Sequence, residues 1–377
     1  MIHTVTMTYS QVTKKMMQAF IHQTGTLPIN QERHTWLNAR YRKQGVVITG
    51  RTKVVNESTG RKLYFNTLIC RVNLRRIIDQ KNHVKVFSMQ DNEKMVQVFN
   101  EIMSELQLPP WHLWTANRID YCVDVRTPYV KEYIHLLQKG DIPNHQKISY
   151  DKVSRNNCHK PGSLYLPAKV RDKRTKKTGS ITINFYDKLS EKTNKGDDAV
   201  ELTQAKDILR LEVQCHKPKL DYLKRKYNFD DKKIYNFVNE SVCNDVIESA
   251  ILRVARKGDY YRRAEALKAV DGSRFHKNTK DMLNLILNTV SAQKQSIAKA
   301  RVKLTDQGMT KNQFAGYLRK LDELNVNPVM IPDNQKIPGK GVKDGLKNLY
   351  DLFFDAFYGE VAGEITGENP VVSVDVL

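Results

Sequence analysis

The sequence predicts an α+β chain, with an antiparallel sheet and its helices over residues 1–228 and helices alone after that. Three observations carry the prediction. Runs with period-two alternation of apolar and polar residues, the pattern of half-buried strands, recur as far as His216 and then stop. Clusters of turn-forming residues separate neighbouring runs at hairpin spacing. From about Asp230 the apolar residues recur at helical spacing instead.

The elements follow in order. His3-Thr4-Val5-Thr6-Met7-Thr8-Tyr9 alternates and reads as the first strand, and Gln11 to about His22 as a helix. Residues 45–55 and 61–74 are rich in Val, Ile, Thr, Tyr and Phe and flank Asn56-Glu57-Ser58-Thr59-Gly60, which predicts a β-hairpin. Met95, Val98, Phe99, Ile102, Met103 and Leu106 predict an amphipathic helix over 92–106, ended by Leu108-Pro109-Pro110. The order then begins again: a strand over 115–125, a helix over 128–139, a hairpin of 162–169 and 180–188, a short helix over 199–206 and a closing strand over 208–216.

Strand, helix, hairpin, helix twice over predicts a duplicated ferredoxin-like antiparallel sheet, with residues 1–110 and 111–228 as its two α+β units. The duplication is one of pattern, without a residue-level repeat. Helices are expected over 231–256, 260–270, 277–300, 310–324 and 342–358, which makes 229–359 an all-helical domain. Residues 360–377 contain Glu360, Glu364, Glu368 and Asp375 and no basic residue, and read as a disordered tail.

Charge narrows the partner. Sixty-two Lys and Arg against forty-one Asp and Glu leave a net charge of +21, spread along most of the chain, and a polyanion is the economical explanation. Without a signal peptide or an apolar run of about 18 residues, a membrane is not expected and the cytoplasm is. The five cysteines (Cys70, Cys122, Cys158, Cys215, Cys243) form no C-x-x-C pair, which argues against a disulfide framework or a zinc site and for small buried apolar residues.

Three strands share a design. In 180–188, Ile181, Ile183 and Phe185 alternate with Thr182, Asn184 and Tyr186, so Tyr186 is expected to emerge on the polar face with Lys188 continuing it. In 117–125, Arg118, Asp120 and Asp124 share one face; in 209–216, Arg210, Glu212, Gln214 and His216 do. Placed in one antiparallel sheet, these strands put Asp120, Asp124, Tyr186, Lys188, Arg210, Glu212 and His216 on a single face. That inventory suits phosphoryl transfer. Carboxylates, with or without an imidazole, bind Mg²⁺ or Mn²⁺. Lysine or arginine stabilises developing negative charge. A tyrosine nucleophile conserves the bond in a phosphotyrosine, so that a later hydroxyl can rejoin the strand. Spacing alone fits a cross-strand ion-pair ladder of Arg118, Asp120, Arg210 and Glu212 equally well.

The ordered set Asn117-Arg118-Ile119-Asp120, Phe185-Tyr186-Asp187-Lys188 with Glu191, and Leu209-Arg210-Leu211-Glu212 followed by Lys219, Leu220 and Tyr222-Leu223-Lys224 resembles the filamentous-phage and plasmid rolling-circle replication initiators, the phage cytoplasmic replication initiation proteins of the gene II/X type. The resemblance is specific over 115–228, loose for the N-terminal part and architectural for the helical C-terminal region. It implies that Tyr186 is the nicking tyrosine and that Asp120, Lys188, Glu191 and Glu212 belong to its site, in a bacterial host cell. Many rolling-circle nickases hold their metal with a His-x-His motif, which this sequence lacks. Ligation then falls to Asp120, Glu212 and Asp124, with His216 the first imidazole candidate and His145 and His159 weaker ones. A conjugative relaxase with the same chemistry and a non-enzymatic origin-binding protein or repressor are the alternatives.

Two segments read as DNA-binding. Residues 169–177 carry Lys169, Arg171, Lys173, Arg174, Lys176 and Lys177 just before the tyrosine strand. Residues 310–321 resemble a recognition helix, with Thr310 as N-cap, Lys311, Asn312 and Arg319 on its polar face and Phe314, Tyr317, Leu318 and Leu321 on its apolar one. The expected partners are the duplex origin and its single-stranded nick site, with host helicase and polymerase, and a homodimer among the assemblies considered. Trp111, Trp114 and Tyr121 fit base stacking, with core packing the better reading for the two tryptophans.

Overall fold

The computed structural model describes residues 1–24, 34–56, 62–80, 84–140, 163–168, 180–294, 296–339, 341 and 345–356. The chain is α+β, as expected. Its elements are β1 (Ile2–Tyr9), α1 (Lys14–Thr24), β2 (Thr35–Asn38), β3 (Val46–Asn56), β4 (Lys62–Asn73), α2 (Leu74–Ile78), α3 (Asn92–Glu105), β5 (Thr115–Arg126), α4 (Val130–Leu137), β6 (Ser163–Leu166), β7 (Ile181–Asp187), α5 (Lys188–Lys195), α6 (Ala199–Ala205) and β8 (Ile208–His216). Helices follow: α7 (Lys217–Lys226), α8 (Ile234–Phe237), α9 (Glu240–Val254), α10 (Arg263–Asp271), α11 (Lys277–Ala292), α12 (Ile297–Asp306) and α13 (Lys311–Glu323), with residues 349–356 helical as well.

The strands form one eight-stranded sheet in the order β2-β3-β4-β1-β5-β8-β7-β6. The pairs β1–β4, β1–β5, β2–β3, β3–β4 and β6–β7 are antiparallel. The first four strands stand in the order β2-β3-β4-β1 and the last four in the order β5-β8-β7-β6, so each set has its opening strand at the end, and β2 is an added strand that the expected pattern lacks.

The chain clusters into two compact units built from alternating segments. One comprises Met1–Cys122, Val170–Thr182 and Glu212–Val246; the other comprises Val123–Lys169, Ile183–Leu211 and Ile247–Leu377. In the first, Met17 and Phe20 of α1 lie buried over β3, where a side chain at Gly50 would strike the Phe20 ring. The buried α3 face of Met95, Phe99, Ile102 and Met103 meets Trp111 edge-on, with ring centres of Phe99 and Trp111 5.1 Å apart. Trp111, Trp114 and Tyr121 are core residues; the Trp114 indole N–H donates to the Pro109 carbonyl. Cys70, Cys122, Cys215 and Cys243 are buried, as expected, and Cys158 lies outside the described residues.

In the second unit, α11 packs on α10, α12 and α13. The helices expected over 231–256 and 277–300 are each broken, for an identifiable reason. Asn239 accepts from the backbone N–H of Ser241 and Val242 and so caps a new helix, α9. Ser296 does the same for α12 by accepting from Lys299. The Thr310–Gln313 capping box opens α13 as the sequence indicates. The acidic tail lies outside the described residues.

Candidate active site

The expected open polar face is a buried one. β7 shows Thr182, Ile183, Phe185 and Tyr186 all buried, and β8 is buried continuously from Ile208 to Val213. Alternation therefore reports chemistry here, with polar and apolar sets each covered. Lys188 is not on the strand. Asp187 ends β7 by accepting from the Leu189 N–H, and Lys188 becomes the first residue of α5.

The seven predicted face residues fall into two groups, one in each unit. In the second unit, Tyr186 keeps 8% of its surface and Lys188 2%. The Lys188 ammonium nitrogen lies 5.8 Å from the centre of the Tyr186 ring and 2.8 Å from a Glu191 carboxylate oxygen. Burial, and then the Arg210 guanidinium, pull Lys188 down to about 8. Burial works against Glu191, but Lys188 and Lys195 draw it down to about 2, so it stays anionic. Arg210 is fully buried and donates from Nε and Nη2 to the two Asp124 oxygens, at 2.6 Å each. Asp124, expected as a metal ligand, is thus the fork partner of Arg210.

In the first unit, Asp120 is 1% exposed and Glu212 7%. Arg118 Nη2 reaches one Asp120 oxygen at 2.9 Å, while the other, Oδ1, is buried with no hydrogen-bond partner. Burial, then the Glu212 charge, push Asp120 up to about 7 against the pull of Arg118 and Arg71. His216, at the start of α7, lies 3.1 Å from the Thr182 hydroxyl; burial and Arg118 lower its pKa, leaving the ring neutral at pH 7.

His3 was not legible as a site residue. Strict alternation places it with Val5 and Met7. Opposite it, Ile2 pairs Tyr121 while Thr4 pairs Asp120, a bulge that breaks the alternation and brings His3 Nδ1 within 3.5 Å of a Glu212 oxygen.

Among the described residues no three of His, Cys, Asp and Glu converge as a metal-binding group. The pair Asp120 and Glu212 nonetheless suits a hard divalent ion: two buried like charges, one oxygen unpartnered, and an ion class that keeps several waters of its own. Lys169, Arg171, Lys173, Arg174, Lys176 and Lys177, with His145 and His159, lie outside the described residues. Lys311, Asn312 and Arg319 are exposed on α13, above buried Phe314, Leu318 and Leu321.

Compared with known protein families, curated proteins and solved structures, the chain matches none. No helix is long and apolar enough to cross a membrane, among the described residues.

Proposed function

We propose that this chain is a rolling-circle replication initiator that nicks one DNA strand at an origin through a 5′-phosphotyrosine on Tyr186. The observation that carries the reading is the buried Tyr186–Lys188–Glu191 group, with its lysine drawn down to about 8. A lysine tuned to that range is free base in part near neutral pH and can take the phenol proton, and the anionic Glu191 then holds the resulting ammonium. The Tyr186 oxygen bonds to phosphorus as the bond to the 3′ oxygen breaks, the departing oxygen takes a proton from solvent water, and the resulting 3′-hydroxyl primes synthesis by the host polymerase behind its helicase. Mg²⁺ or Mn²⁺ bound by Asp120 and Glu212 would offset negative charge on phosphate. The strand order β3-β4-β1-β5, in which β5 closes the group that β1 opens, supports a ferredoxin-like arrangement of those four strands.

Duplex recognition goes to α11–α12–α13. The α12–α13 connection is four residues, with Gly308 at φ +98°, and both helices pack on α11, the arrangement of a helix-turn-helix. Replacing Lys311, Asn312 and Arg319 by Ala is expected to weaken binding to duplex origin DNA and to lower the slope of log affinity against log salt by about 1.8, two phosphate contacts' worth. Filter binding across a salt series measures it.

A second reading, an origin-binding protein without chemistry, is favoured by one observation: a nucleophile needs access, and Tyr186 is 8% exposed. The test uses end-labelled supercoiled DNA of the protein's own replicon with Mg²⁺ or Mn²⁺. Nicking is expected to rise with pH through about 8, as Lys188 loses its proton, and Lys188→Arg, which keeps a charge but cannot lose it, is expected to slow nicking by about 10²-fold or more. Binding without any nick at any pH selects the second reading.

A further inference from the structure

We propose that the outer end of the β3–β4 hairpin is an arm that binds single-stranded nucleic acid by stacking bases on Tyr64 and Phe65. The registers define the arm. β2 pairs β3 only from Ile48 to Arg51, and β1 pairs β4 only from Leu68 to Asn73. Beyond them the pairs Lys53↔Phe65, Val54↔Tyr64, Val55↔Leu63 and Asn56↔Lys62 stand as a two-stranded ribbon with no third strand among the described residues. Such a ribbon gains little stability from its own burial.

Its large side chains are left in water. Tyr64 is 63% exposed, Phe65 54% and Val54 36%. Because side chains alternate along a strand, the two rings point to opposite faces of the ribbon. A monomer's folding gains little from two aromatic rings exposed to this extent on opposite faces of a ribbon, and Val54, paired with Tyr64, extends the apolar surface on one of those faces.

Charge and hydrogen bonding select the occupant. Lys53, paired with Phe65, and Arg51 are exposed on the Phe65 face of the ribbon, and no acidic residue occurs in 51–56 or 62–67. Rings flanked by cations suit a polyanion that itself carries π-faces. A duplex keeps its base faces stacked inside, and reading its edges requires free polar groups. Here the polar pair at the root of the ribbon is engaged internally, since the Thr52 hydroxyl donates to Asn66 Oδ1 at 2.9 Å. What remains is ring and cation, the sequence-tolerant mode of single-strand binding. The assignment needs no nicking chemistry and stands or falls separately from it.

The test is fluorescence anisotropy of the full chain with labelled oligo(dT) and with a labelled duplex of equal length. Tyr64→Ala/Phe65→Ala is expected to weaken oligo(dT) binding by about 10- to 100-fold and to leave duplex affinity unchanged. Tyr64→Phe/Phe65→Tyr, which keeps both rings, is expected to bind as the parent does. Arg51→Ala/Lys53→Ala is expected to reduce the salt slope on oligo(dT) by about 1.4; should the alanine pair misfold by circular dichroism, this variant and the ring-preserving one decide. Undiminished oligo(dT) binding by a folded alanine pair overturns the proposal. So does an equal loss on duplex, or a changed sedimentation coefficient with oligo(dT) affinity retained, which would make the arm a contact between copies of the chain.

Discussion

Tyr186→Phe is expected to abolish strand cleavage, lowering the nicking rate by about 10⁴-fold or more, the scale on which removing a covalent nucleophile acts. The ring is retained, so the packing of β7 is retained too, and the thermal midpoint and duplex affinity are expected to match the parent. The tyrosine sits among Lys188, Glu191, Arg210 and Asp124, every one of which has a charge partner in the fold. Among the ring atoms only the phenol oxygen forms a bond in the mechanism, and its removal leaves the Lys188–Glu191 and Arg210–Asp124 pairs in place. A gel shift with duplex origin DNA, run beside a nicking assay, measures both halves of the expectation. Undiminished nicking by the phenylalanine variant removes Tyr186 from the mechanism.

The second large effect has opposite signs for stability and activity. Asp120→Asn is expected to stabilise the metal-free protein while cutting nicking by at least about 10²-fold. Asp120 has a folded pKa of about 7, raised by burial and by Glu212. The folded state therefore holds an extra proton between about pH 4, the ordinary aspartate value, and about pH 7. Stability falls as pH rises through that window, and the penalty is complete above it. Asparagine removes the penalty. A gain of about 2–4 kcal/mol is expected above pH 7, vanishing toward pH 4, read by denaturant unfolding at the two pH values. A cross-strand ladder predicts the reverse: losing the Arg118 partner destabilises at every pH at which the carboxylate is charged.

Much of the fold was legible. Period-two runs located β1, the β3–β4 hairpin, β5, β7 and β8, because each alternates against a covered face. β2, at four residues, is too short to show a period, and α5 was hidden because Asp187 stops β7 by a side-chain cap rather than by a turn residue. The residue types of the site were legible, but their exposure was not. Alternation reports which residues share a face; it does not report that a second layer covers the polar face, so Tyr186, Arg210 and Glu212 were expected in water and are buried. His3 was invisible for a different reason. A bulge is a property of two strands in register, and one strand's sequence carries no sign of it.

The most direct test of the central claim is to map the covalent link. The full protein is incubated with supercoiled origin DNA and Mg²⁺, digested with nuclease and protease, and the surviving peptide–nucleotide adduct is sequenced by tandem mass spectrometry. The expected adduct is a nucleotide joined through its 5′-phosphate to Tyr186. Nicked DNA with a free 5′-phosphate and no adduct, or an adduct on any other residue, would contradict it.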